Sequence, residues 1–76
     1  MRYDKDGLTV RQRDIYNYIV QFKITNGYAP TIREIAEGIY TSRSFVRESL
    51  HILESKQILK YNPKTFRSIV ILKFLI

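Results

Sequence analysis

TIREIAEGIYTSRSFVRESLHILESKQILKY, residues 31–61, decides the fold. Thr31-Ile-Arg-Glu34 fits a capping box, in which the Thr hydroxyl and the Glu side chain satisfy free backbone N–H groups at a helix start. Pro30 keeps the preceding chain extended. Ile32, Ile35, Ala36 and Ile39 then supply the apolar positions of a short helix that stops near Gly38-Ile39. Only a few residues separate it from the next cap, Thr41 or Ser42. Two helices joined by so tight a turn must cross steeply.

The helix after that turn is expected over residues 42–55. At about 100° per residue, Val46, Leu50 and Leu53 fall within about 60° of one another, with Ser49 alongside. Arg43, Ser44, Arg47, Glu48 and His51 lie on the opposite side, and Phe45 and Ile52 on a flank. Lys56-Gln57 turns into a strand at Ile58–Tyr61. Asn62-Pro-Lys-Thr65 is a turn by composition, and the β-branched run Arg67–Leu72 is the returning strand.

Upstream, Thr9-Val-Arg-Gln12 is a second capping box. Ile15, Tyr18, Ile19 and Phe22 recur at helical spacing, and Asn26-Gly27 ends that helix in residues that tolerate a left-handed backbone. Residues 1–7 read as a flexible arm with a turn at Asp-Lys-Asp-Gly. The apolar end, Lys73–Ile76, is compatible with an extended strand, packing on the body, or an interface. The fold class expected is mainly α with a small β-hairpin: three helices plus a wing, a winged helix-turn-helix in one domain over residues 1–76.

Composition narrows the function. The chain has 76 residues, 45% of them hydrophobic, which suits a small globular domain rather than a disordered one. It has no cysteine, and its one histidine, His51, lacks a partner at metal-ligand spacing. No cofactor is expected. No apolar run approaches the roughly 18 residues needed to span a bilayer, and the N-terminus has no signal-peptide pattern, so a cytoplasmic location is expected. Paired carboxylates, a nucleophile beside His51 and a glycine-rich phosphate loop are all missing, so no enzymatic activity is expected.

The net charge is +6, unevenly distributed. Residues 1–40 hold six basic and five acidic side chains, a balance of +1; residues 41–76 hold seven and two, a balance of +5. Affinity for a polyanion therefore belongs to the C-terminal half. A helix buried on one side, with polar and basic residues at its exposed N-terminal half, is what the DNA major groove accepts. The groove-facing set is Ser42, Arg43, Ser44, Arg47 and His51, with Arg47 and Ser44 the first candidates for base reading. Arg43 is equally suited to clamping a phosphate. Thr31 and Arg33 stand where a phosphate would approach a helix start, although a simple cap explains Thr31 as well. Lys60, Lys64, Thr65 and Arg67 give the wing a basic character suited to the backbone or the minor groove. Tyr16, Tyr28, Tyr40 and Phe66 read as packing aromatics before stacking ones.

Over residues 8–72 the chain resembles the N-terminal DNA-binding domain of the LexA repressor family. The resemblance is carried by Leu8-Thr9-x-Arg11-Gln12 and Gly27-x-x-Pro30-Thr31-x-x-Glu34-Ile35-Ala36. Ser42, Leu50, Leu53, Ile58 and Arg67-x-Ile69 extend it. It implies sequence-specific binding to double-stranded DNA by a transcriptional repressor. Two departures stand out: the turn between the two helices is one residue shorter than the family pattern, and Tyr40 stands where Gly is common. The 76 residues leave no room for the family's self-cleaving peptidase domain, so neither proteolytic induction nor dimerisation through that domain is expected. A homodimer on a palindromic site is the expected DNA-bound form. The alternative is a protein-interaction module on the same scaffold, an antirepressor or assembly adaptor, suggested by the apolar C-terminus and the many tyrosines.

Overall fold

The computed structural model describes residues 2–75, with helices α1 (Val10–Asn26), α2 (Ile32–Gly38) and α3 (Arg43–Ser55) followed by strands β1 (Leu59–Lys60) and β2 (Val70–Ile71). Met1 and Ile76, the ends of the expected arm and tail, lie outside the described residues. All three helix starts are capped by their own sequence. Thr9 and Thr31 form complete capping boxes with Gln12 and Glu34, and Ser42 Oγ accepts from the Phe45 amide. Helix α1 ends at Gly27, whose φ of 81° is left-handed and cheap only for glycine.

The core is built where the periodicities converge. Ile15 and Ile19 of α1, Ile35 of α2, and Val46, Leu50 and Leu53 of α3 are fully buried, together with Leu8 and Leu59. Removing the Leu50 side chain beyond Cβ would cost about 2–5 kcal/mol, since the surroundings of a fully buried side chain collapse only in part into the space left behind. Phe45 packs against this cluster as a half-buried flank, while Ile52 remains 38% exposed. Gly38, near the end of α2, permits a close approach: a Cβ there would stand 2.2 Å from a Tyr18 ring carbon.

Residues 4–8 do not trail away as an arm. Asp4 Oδ1 accepts from the Asp6 and Leu8 amides at 2.8 and 3.0 Å. Arg13 bonds to both Asp4, at 2.8 Å, and Asp6. The turn thereby delivers Leu8 into the core, and two carboxylates on one guanidinium fasten it to α1.

The hairpin is shorter than the expected strands at 58–61 and 67–72. Its antiparallel register is Leu59↔Ile71 and Lys60↔Val70. Side chains end the ladder at the wing: Ser68 Oγ accepts from the Asn62 amide at 3.0 Å and donates to the Asn62 carbonyl at 2.7 Å. These bonds replace the next backbone pair. At the other end the Ile58 carbonyl accepts from both Leu72 and Lys73, so regular pairing stops there. Lys73–Leu75 pack on the body. The Tyr16 hydroxyl donates to the Lys73 carbonyl at 3.1 Å and accepts from the Leu75 amide at 2.9 Å, although Phe74 is 68% exposed.

Candidate nucleic-acid interface

Helix α3 separates two kinds of surface. Val46, Ser49, Leu50 and Leu53 face inward, which leaves Ser42, Arg43, Ser44, Arg47, Glu48 and His51 exposed on the outer side. Arg43, Arg47 and His51 fall at i, i+4 and i+8 and so form one stripe, whereas Ser44 and Glu48 begin the next, about 100° round the helix.

The arginine stripe borders a cleft of about 350 Å³ between α3, the start of α2 and the wing. Arg33, Arg43 and Arg47 line its helical walls, and Lys64, Thr65 and Phe66 line the wing. Arginines of α1 and the wing have acidic partners: Arg11 pairs with Asp14, Arg13 with Asp4 and Asp6, and Arg67 with Glu34. Arg33 pairs with Glu37 at 3.2 Å, with both side chains about two-thirds exposed, a contact of little energy that an incoming anion displaces easily. The side chains of Arg43 and Arg47 have no ion pair or hydrogen bond among the described residues. Two adjacent cations left without carboxylates beside a cleft make a surface complementary to phosphate or guanine edges.

The other expected contacts divide. Lys64 is exposed in the wing loop, where Asn62 orders the chain by accepting from its amide at 3.0 Å. Lys60 is exposed too, but it opens onto a separate groove beside Glu54, Gln57 and Lys73. Thr31 serves as the cap of α2: its hydroxyl accepts from the Glu34 amide and donates to the Glu34 carboxylate, both at 3.2 Å.

Arg67 borders the cleft as well, but its side chain is already engaged. Its guanidinium forms a two-pronged pair with Glu34 and donates to the Ala29 carbonyl. The hydrogen bond from Arg67 is the main cause holding the Glu34 carboxyl below its ordinary range, and the same bond raises the Arg67 pKa. Its neighbour Phe66 is 76% exposed.

Sequence reasoning passed over Tyr61, which also lines the cleft and meets the His51 ring edge-on at 6.5 Å between centres. Period-two alternation was a usable signal, since Leu59 points inward, Lys60 outward and Tyr61 inward again. The Glu34–Arg67 pairing left no comparable trace, because 33 residues separate the partners.

The profile of the LexA DNA binding domain family matches residues 5–68. The chain is 45% identical over 65 residues to the LexA repressor of Staphylococcus aureus (strain Newman), covering 84% of this chain and 31% of that protein. It is 42% identical over 67 residues to the LexA repressor of Roseiflexus sp. (strain RS-1), covering 87% and 31%. With the LexA repressor of Koribacter versatilis (strain Ellin345), identity is 40% over 67 residues, covering 87% and 32%. The chain thus spans about a third of the length of the curated relatives it matches.

Proposed function

Since the chain belongs to the LexA DNA binding domain family, we propose that it binds a specific double-stranded DNA sequence and represses transcription from it. Helix α3 enters the major groove. Arg47 and Ser44 read bases, Arg43 reads a base or clamps a phosphate, and His51 meets the backbone at the far end. The wing, through Lys64, follows the backbone or the adjacent minor groove, with Arg33 on a phosphate near the start of α2. The observation that carries this reading is the contrast between the partnered arginines of α1 and α2 and the two unpartnered ones of α3.

One module of this kind covers a small site, typically about 600–1,000 Å² of protein surface. Two copies on a two-fold site double the contact, so the DNA-bound form is a homodimer on a palindrome. No helix among the described residues is long and apolar enough to cross a membrane, and action on DNA puts the protein in the cytoplasm. It acts by binding, with no enzymatic step of its own.

Selecting bound duplexes from a random pool tests the reading. The expected product is one enriched, two-fold symmetric sequence whose affinity falls steeply with salt, by about 0.9 in log–log slope for each phosphate neutralised. Failure to bind any duplex at low salt rejects it. A monomer bound tightly to an unrepeated site rejects the dimer.

A further inference from the structure

Little regular structure attaches the wing to the body. Its ladder is two pairs long, and so small a hairpin has marginal stability of its own. Glu54 of α3 accepts from the Tyr61 amide at 3.3 Å on one side of its base, and Arg67 fastens the other side to α2. Arg67 Nη1 donates to Glu34 Oε1 at 2.8 Å and to the Ala29 carbonyl at 3.0 Å, while Nη2 donates to Glu34 Oε2 at 3.3 Å. The guanidinium carbon lies 4.5 Å from the Tyr28 ring centre and 4.8 Å from that of Phe66. Glu34 also completes the capping box of α2, its Oε1 accepting from the Thr31 amide at 2.8 Å. A single carboxylate therefore ties the first turn of α2 to the wing.

Taking the DNA-binding reading as its basis, we propose that Arg67 is a positioning residue: gripped by Glu34, it holds the wing against α2 so that Lys64 and Arg47 face one cleft, and it does not itself touch DNA. To reach a phosphate, Arg67 would have to leave a bidentate carboxylate pair, a carbonyl and two ring faces. Only a planar fork serves all of these at once, which a lysine cannot do.

Three variants test the proposal on a duplex selected with the wild-type chain. Glu34→Gln keeps the capping box, which accepts Gln at that position, but loses the charged pair. Arg67→Gln removes the cation, and Arg67→Lys keeps it without the fork. Each is expected to bind about three- to tenfold more weakly, because the loosened wing must be re-ordered on binding. The salt slope should stay at the wild-type value, and the double variant E34Q/R67Q should bind no more weakly than either single one.

A direct Arg67–phosphate contact predicts otherwise. R67Q would lose about 0.9 of slope, R67K would resemble wild type, and E34Q, having shed a negative charge, would bind more tightly. Any of these results overturns the proposal. If the wild-type chain selects no duplex, the DNA reading fails while the clamp is still judged by ¹⁵N relaxation. Order parameters at Lys64, Thr65 and Phe66 should fall below about 0.6 in E34Q and R67Q with the helices unchanged, and wild-type values there overturn it.

Discussion

Tyr40 links α2 to α3 with φ at 57°, a left-handed conformation, and its side chain is 93% exposed. Replacing it with glycine should stabilise the protein. A left-handed backbone costs an L-residue about 1–2 kcal/mol through the Cβ–carbonyl clash. Glycine relieves this, but its freer unfolded chain takes back about 0.4–1 kcal/mol. So exposed a ring leaves little burial to lose, and the net gain is about 0.5–1 kcal/mol. The turn will not relax into another shape, because both sides are fastened. Thr41 donates to the Ala36 carbonyl at 2.9 Å, and Arg11 donates to the Ile39 carbonyl at 2.7 Å. Melting entropy is about 2.1 cal/mol/K per residue, or about 160 cal/mol/K for this chain, so the midpoint should rise by about 3–6 °C. Differential scanning calorimetry of Tyr40→Gly beside wild type measures it. The matched control is Gly27→Ala, where φ is 81° and an added Cβ meets nothing within 4 Å. Its midpoint should fall by a similar amount, for conformational reasons alone. A Tyr40→Gly midpoint at or below wild type would refute the reasoning.

Gly38→Ala should cost about 1–3 kcal/mol in urea denaturation, because its Cβ would drive into the Tyr18 ring, which packs at a tilt against Phe22 with 5.9 Å between ring centres. Arg47→Ala should lose about 1–3 kcal/mol of affinity for the selected duplex and relax preference at one base position, with an unchanged melting temperature; Lys64→Ala should instead weaken binding to all sequences alike and lower the salt slope by about 0.9. In acid, the Arg13 side-chain hydrogen bond holds the Asp4 carboxyl down at about 2, from an ordinary 3.8. The unfolded chain therefore binds the proton first as pH falls, so the stabilisation present above about pH 4 is lost on the way to about pH 2. Melting of Asp4→Asn and wild type should differ most near neutrality and converge at about pH 2; a constant difference would exclude this ionic contribution.

Most of the helical framework was readable along the chain. Thr9, Thr31 and Ser42 cap their helices by reaching residues three positions away, and Asn26-Gly27 ends α1 for an equally local reason. The inward face of α3 followed from spacing alone, which also exposed Arg43, Arg47 and His51. The strands were less legible. Ile58–Tyr61 and Arg67–Leu72 have strand composition, but Ser68 bonding to Asn62 cut the ladder to two pairs. The contacts of residues 4–8 were not legible either, because they come from Arg13, a helix residue whose side chain reaches back to Asp4 and Asp6.

The sequence by itself determined the order of the elements, their caps and which side of α3 stays wet, since each depends on residues within a turn or two of one another. Tertiary structure alone decided which basic side chains share a cleft and which of those, Arg67 among them, are already held by a carboxylate. Lys60 and Lys64 are alike in composition, yet one opens beside Glu54 and the other stands opposite Arg47. Arg67 reads as one more wing cation until folding brings Glu34 against it. A charge's partner depends on distance through space, and separation along the chain carries almost no information about that distance.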